Sequence, residues 1–533
     1  MKINEKISIL RRDSGLSQDE LAEKLNVSRQ SVSKWETGSA LPDSDKILAL
    51  AELFDVSTDF LLRDSEEFIF VDNNQEEAER TDKAAENSEI HSDSIPEKKK
   101  KIPKKKLVKI IVAVILIIAL IIPIPTGLYK KAFLSMVEEP VKYPYVLVHG
   151  LGGWGAEAQI NEVSPYWGSA TGNLAEYLNS QGYEAYEASV GPFSSTWDRA
   201  CELYAQLTGT TVDYGEAHSK AHNHERFGRA YTTQLAPGWG TKTKGGQLIK
   251  VNLVGHSFGG ATVRMLASLL EYGSAAEISS GSGDVSPLFK GGKGNLVNSV
   301  TTLCAPHNGS TLFYVVDKLK VVNLAMDIVY LGSNLSNNNA IGDFYDFRLE
   351  HFGIDSQSAD ADTVVNSVFS QGTDNAAYDL SPDGAAEINE QIQLVDSVYY
   401  FSYSYSTTTK SSLTGNHVPD LDTLPILMPV ALLIGRYDQN TSTDFPIDET
   451  WLENDGLVNV VSAKHPANDE WQDFDSENIV KGKWNVMSVR RGHHGSVIGM
   501  DGDTDETHKF YTDHFGIIDG MPRDRKYYFK GLF

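Results

Sequence analysis

Cysteine is nearly absent: 533 residues carry two, Cys201 and Cys304. One bridge is the most they can form, so disulfides do not set the architecture on either side of a membrane. A basic excess is missing as well. Lys and Arg number 47 against 72 Asp and Glu, a formal net charge of −25, which excludes general affinity for nucleic acid or anionic lipid and confines such binding to local patches. The length exceeds one ordinary core, so two or more folding units are expected.

One apolar stretch stands out. From Leu107 to Leu128 the only charge is Lys109, whose stem reaches the interface, and the length suits one spanning helix. More than a hundred residues precede it, so it reads as a retained anchor rather than a signal peptide or a buried core helix. Lys98 to Lys101 and Lys104 to Lys106 lie just before it. By the positive-inside rule they keep the N-terminal side cytoplasmic and put everything after Leu128 outside the cell. Between Asp64 and Glu97, twelve acidic residues face two basic ones, the composition of a disordered linker. The expected organisation is 1–63 helical, 64–106 linker and lysine block, 107–128 membrane span, 136–520 the main domain and 521–533 a tail.

In the first segment, "LSQDELAEKL" opens with a capping box, Ser17 as N-cap and Glu20 three positions on, followed by Leu21, Ala22 and Leu25 at helical spacing. The chain turns and restarts at Ser28. Two short helices joined by a tight turn are the helix-turn-helix plan, whose second helix would offer Arg29, Gln30, Ser31, Ser33 and Lys34 to a major groove. Residues 16–62 resemble the Cro-like phage-repressor family, which implies a five-helix DNA-binding fold, often a homodimer through this domain. Nine basic and eleven acidic residues over 1–63 leave a protein-binding helical bundle as the alternative.

The chemistry lies further on. "YPYVLVHGLGGWG" is an apolar strand ending in a glycine-rich turn, and "QLIKVNLVGHSFGGATVRMLASLLEYG" is strand, sharp turn, helix. Its centre, Gly255-His256-Ser257-Phe258-Gly259, is a G-x-S-x-G nucleophile elbow. The flanking glycines leave room for a strained turn, and the helix that follows directs its positive end at a developing oxyanion. The backbone N–H of Phe258 supplies one oxyanion donor, and that of Leu151, after His149-Gly150, the second. The chain order of this fold then requires an acid and a histidine after Ser257. Asp455 sits in a short turn of "WLENDGLVNVV", and "RRGHHGSV" places His493 and His494 on a glycine-flanked loop. The residues alone do not choose between the two histidines.

The blocks "YVLVHGLGGWG", "GHSFGG", "APHNGSTL", "WLENDGLVN" and "HHGSVIGMD" resemble the staphylococcal and thermophilic bacillus triacylglycerol lipases, over about 142–515. The resemblance implies an α/β-hydrolase fold with a mainly parallel sheet, preceded here by the small all-α domain and one transmembrane helix. It also implies a catalytic triad of Ser257, Asp455 and His494, and two free thiols.

By spacing alone, His218 and His222 could be i and i+4 ligands on one helix face. The resemblance instead implies a structural zinc site of Asp198, His218, His224 and Asp374. For calcium it points to Asp422, Asp501 and Gly502, but Ser496 stands where the family has a carboxylate, so one charged ligand is missing. The apolar stretch after His307 corresponds to the family's lid. The reading is a membrane-anchored lipase or esterase outside the cell, joined to a cytoplasmic DNA-binding domain. The rival is a membrane-bound transcription regulator whose outer domain senses lipid.

Overall fold

Four segments of the main domain have no exposed face, as strands covered on both sides require. These are β1 (Tyr145–Val148), β3 (Val251–His256), β4 (Val297–Leu303) and β5 (Tyr399–Tyr403), buried throughout. With β2 (Ala185–Ala188), β6 (Trp471–Asp473) and β7 (Trp484–Val486) they form a seven-stranded sheet in the order β6-β7-β5-β4-β3-β1-β2, and every neighbouring pair is parallel. Side chains alternate across it. Val146 and Val148 pack with α5 (Thr196–Thr208) and α7 (Gly259–Tyr272), whereas Tyr145 and Leu147 face α9 (Thr504–Gly520) through Tyr511 and Phe515. Between α5 and α7 in sequence lies α6 (Glu216–His222), and α8 (Lys318–Ser333) falls on the apolar stretch after His307.

The structure, a computed structural model, describes residues 3–54 and 141–521, save 14–15, 26, 43, 244–245, 282, 317, 334–344, 356–358, 371 and 438–445. The acidic linker, the lysine block, the Leu107 to Leu128 run and the tail beyond 521 lie outside the described residues. Among the described residues no helix is long and apolar enough to cross a membrane.

The chain divides into two units. In the first, α1 (Ile3–Asp13), α2 (Gln18–Lys24), α3 (Arg29–Glu36) and α4 (Ser44–Phe54) enclose a core of Ile7, Leu21, Leu25, Val32, Trp35 and Leu50. The capping box forms as expected: the Glu20 N–H donates to Ser17 Oγ at 3.2 Å, and the Ser17 N–H to Glu20 Oε2 at 2.7 Å. Ser28 caps α3 by accepting from the Ser31 N–H at 3.2 Å. The fifth helix implied by the repressor resemblance falls beyond Phe54, outside the described residues.

Candidate active site and metal centre

β1 has β2 on one side and β3 on the other, so successive crossovers diverge there and open a crevice at the strands' carboxyl ends. Ser257 stands at that edge, immediately after β3, with φ at +55°. This left-handed conformation is rare for a side-chain-bearing residue and marks a strained turn. The glycines beside it are sterically required. A Cβ at Gly255 would lie 2.3 Å from the Gly259 carbonyl oxygen, and one at Gly259 would lie 2.1 Å from that of Val148. Phe258 is the N-cap residue of α7, its ring buried against the Arg199 guanidinium, which lies 4.7 Å from the ring centroid.

Across the crevice, His494 Nδ1 lies 2.8 Å from Asp455 Oδ2. The other carboxylate oxygen, Oδ1, accepts from the N–H groups of Leu457 at 3.0 Å and Val458 at 2.8 Å, and the His494 N–H donates to the Asp455 main-chain oxygen at 2.8 Å. Asp455 is therefore fixed on three sides while 1% exposed. Ser257 and His494 line one cavity, whose other walls include Leu151, Trp154, Phe313, Leu324, Leu427 and Ile498. His493 turns elsewhere: its Nδ1 accepts from the Gly495 N–H at 3.2 Å, and burial lowers its pKa below the ordinary histidine value.

Cys304, at φ +52°, brings its thiol within 4.8 Å of the Asp455 and His494 ligand atoms, a neighbour that sequence reasoning did not place there. Burial and then Asp455 push that thiol well above the ordinary cysteine range, so it stays protonated. Cys201 and Cys304 are both free and buried, as the resemblance implied.

A second constellation lies apart from the triad residues. Asp198, on the first turn of α5, is fully buried. His218 comes from α6, His224 follows that helix, and Asp374 precedes a later short helix. The ligand atoms of all four lie within 4.8 Å of one another. His218 Nε2 is 3.2 Å from Asp198 Oδ1 and 3.4 Å from Asp374 Oδ1, and His224 Nε2 is 3.3 Å from Asp374 Oδ2. Two buried atoms here, His224 Nε2 and Asp374 Oδ2, have no hydrogen-bond partner among the described residues, the condition of groups aimed at a shared cation.

Burial opposes charge at this centre, yet the imidazoles hold both Asp198 and Asp374 below the usual carboxylate range, and the carboxylates raise His218 to about 10. The ligands are braced from outside. His224 Nδ1 lies 2.9 Å from the Glu225 oxygen, Trp197 stacks on His218 with centroids 5.1 Å apart, and Glu277 accepts the N–H groups of Ala217 and His218 at 3.0 and 2.7 Å. His351, far off in sequence, sets Nε2 3.2 Å from the free oxygen of Asp198, a contact with no local signal in the chain. His222 is exposed and does not join the four, so the i, i+4 pairing is not the one assembled.

The calcium residues lack the carboxylate that Ser496 replaces. Asp422 and Asp501 are exposed, and among the described residues neither belongs to a group of three or more histidine, cysteine or acidic side chains with clustered ligand atoms. Ser496 Oγ accepts from the His493 N–H at 3.1 Å instead of facing a cation. The donors present do not fit calcium, which takes six to eight oxygens with several charges. In the helical unit, Arg29, Gln30 and Lys34 are exposed on α3, Ser31 and Ser33 are half-buried, and Arg29 Nε lies 3.7 Å from Asp19 Oδ1.

A doubly wound parallel sheet with a strained serine at the switch point and a buried Asp-His pair facing the same cavity defines the α/β-hydrolase class. Residues 141–525 match the family described as lipase-like, C-terminal domain, and the chain belongs to that family. Residues 7–61 match the helix-turn-helix family. A lipase of Staphylococcus epidermidis is 35% identical over 375 residues, covering 68% of this chain and 51% of the relative. The structure of EstA from Clostridium botulinum has 35% identity and a TM-score of 0.66, covering 73% of this chain and 90% of that one. Lipase 1 from Pelosinus fermentans has 37% identity and a TM-score of 0.63, covering 72% of this chain and all of that one. The chain spans about half the length of the curated relatives it matches.

Proposed function

We propose that this chain is a carboxylic ester hydrolase of the lipase type, working through an acyl-serine intermediate. The observation that carries the reading is the Asp455-His494 pair at 2.8 Å, set in one apolar cavity with a strained Ser257. His494 takes the Ser257 proton as the hydroxyl attacks the ester carbonyl and returns it to the leaving alcohol. Asp455 fixes the tautomer and stabilises the imidazolium. The N–H groups of Leu151 and Phe258 receive the oxyanion, and water releases the acid in a second, equivalent step. The cavity's apolar walls suit an acyl chain, and the apolar α8 beside them suits a lid at a lipid surface. Ester hydrolysis by the full chain, abolished in Ser257→Ala with folding intact, tests this; equal turnover by both proteins would sink it.

Asp198, His218, His224 and Asp374 are assigned to zinc. A tetrahedron with bonds of about 2.0 Å has edges of about 3.3 Å; three of the four His–Asp separations, at 3.2, 3.3 and 3.4 Å, agree with it, and the fourth, His224 Nε2 to Asp198 Oδ1, is wider at 3.9 Å. With four protein ligands and no open position, the ion would be structural, stapling the 211–230 insertion to α5. The helical unit is assigned to DNA through Arg29, Gln30 and Lys34, with Ser31 and Ser33 beside them, and the Leu107 to Leu128 run to a single membrane span that leaves the hydrolase outside. A membrane-bound regulator that senses lipid without turnover is the second reading, favoured by the fused helix-turn-helix.

A further inference from the structure

Three segments must keep register for the proposed ester hydrolysis, on which this inference rests: the turn after β1, the elbow after β3 and the loop that carries His494. One file of hydrogen bonds joins all three. The Gly150 N–H donates to the Tyr166 hydroxyl at 2.9 Å, that hydroxyl lies 2.6 Å from His256 Nδ1, and His256 Nε2 lies 3.0 Å from the His494 main-chain oxygen. The ends fix the direction. Gly150 N can only donate and the His494 oxygen can only accept, so His256 carries its proton on Nε2 and accepts from Tyr166 on Nδ1. Both side chains are held in the states the file needs: burial, then His494, keeps His256 well below the ordinary histidine range, and burial keeps the Tyr166 phenol protonated.

The other peptide plane at Gly150 is held too. Its carbonyl faces His149 Nδ1 at 2.9 Å and accepts from the Gly153 N–H at 3.2 Å. In a trans peptide the N–H of Leu151 points opposite to that carbonyl, so these bonds set its direction.

We propose that Tyr166 and His256 are positioning residues, which lock the turn presenting the Leu151 N–H to the backbone of His494 so that oxyanion donor and general base keep one spacing. Neither exchanges a proton with substrate. Tyr166→Phe keeps the ring and its contacts with Trp154 and Trp167 at 5.5 and 5.6 Å and removes only the hydroxyl.

In the full chain, with a short-chain p-nitrophenyl ester, Tyr166→Phe is expected to lower kcat about 10- to 100-fold and to change KM less than about threefold. Affinity for an alkylboronic acid, which forms a tetrahedral adduct on the serine, should fall in parallel. His256→Asn should lose a similar factor, and the double variant little more than either single one, because one file is cut once or twice. Unchanged kcat and boronate affinity in a folded Tyr166→Phe, additive losses in the double variant, or a loss confined to KM would overturn the inference. Fluorophosphonate labelling separates the two levels: wild type unlabelled at Ser257 removes the hydrolase reading itself, whereas labelled wild type with an unaffected Tyr166→Phe removes only the positioning role.

Discussion

Asp455 reaches His494 twice, through its carboxylate to the ring Nδ1 at 2.8 Å and through its main-chain oxygen to the backbone N–H at 2.8 Å. The double tie fixes both the ring's tautomer and the loop that carries it. Asp455→Asn keeps the backbone tie but offers no charge to an imidazolium. It should lower kcat by about four orders of magnitude with little change in melting temperature, measured on a soluble ester. Activity within tenfold of wild type would remove Asp455 from the triad.

The zinc assignment predicts about one zinc per chain in metal analysis of protein purified without added metal. A buried pair of carboxylates left without its cation is costly, so stripping with a strong chelator should lower the melting temperature by several degrees and zinc should restore it. His218→Ala with His224→Ala should start from the lower value and be insensitive to chelator. Calcium added to the zinc-loaded protein should shift neither melting nor activity, since Asp422 and Asp501 are exposed and Ser496 takes the place of a third carboxylate.

Local motifs were legible where one short stretch determines both backbone and chemistry. The elbow at Ser257 is read from two glycines that avoid the Gly259 and Val148 carbonyls, and the α2 capping box from Ser17 and Glu20. The choice between His493 and His494 was not readable from residue type, because it depends on which ring the loop turns toward Asp455. Tyr166, Cys304 and His351 escaped for a related reason. Each meets its partner across large sequence separations or a strand end, and a lone tyrosine, cysteine or histidine carries no spacing to betray it. The zinc ligands came by resemblance alone, since Asp198 and Asp374 are 176 positions apart and only folding brings them together.

Glu187 is 3% exposed on β2, with one oxygen bound by Asn161 at 2.8 Å and the other, Oε1, without a hydrogen-bond partner among the described residues. Burial raises its pKa to about 7, above the unfolded value of about 4.3. Between these values the unfolded state ionises while the folded carboxyl stays neutral, so stability falls as pH rises through this window and stays lowered above it. Glu187→Gln removes the penalty. Its urea midpoint should exceed that of wild type at pH 8 and match it near pH 4.5; an equal offset at both would show that the carboxyl does not titrate there.

If α3 reads DNA, Gln30→Ala should relax sequence selectivity, whereas Lys34→Ala should weaken binding to all sequences and flatten the salt dependence by about one counterion. Oligonucleotide selection with the full chain in detergent checks both. Arg29, close to Asp19, should contribute less than an unpaired arginine. Absence of any selected sequence would favour a protein partner for this unit.

The proposed single-span topology rests on where the two proposed partners would be met. If the helical unit binds DNA in the cytoplasm and the hydrolase meets its ester outside, as proposed, the chain would cross the membrane once, and the seven lysines of 98–106 would hold the first unit inside. Protease added to intact cells should digest the hydrolase while sparing residues 1 to about 100, and permeabilised cells should lose both. Replacing the seven lysines with glutamine should weaken that orientation and protect part of the hydrolase population. Full protection of the hydrolase in intact wild-type cells would place both units on one side and leave the Leu107 to Leu128 run without a spanning role.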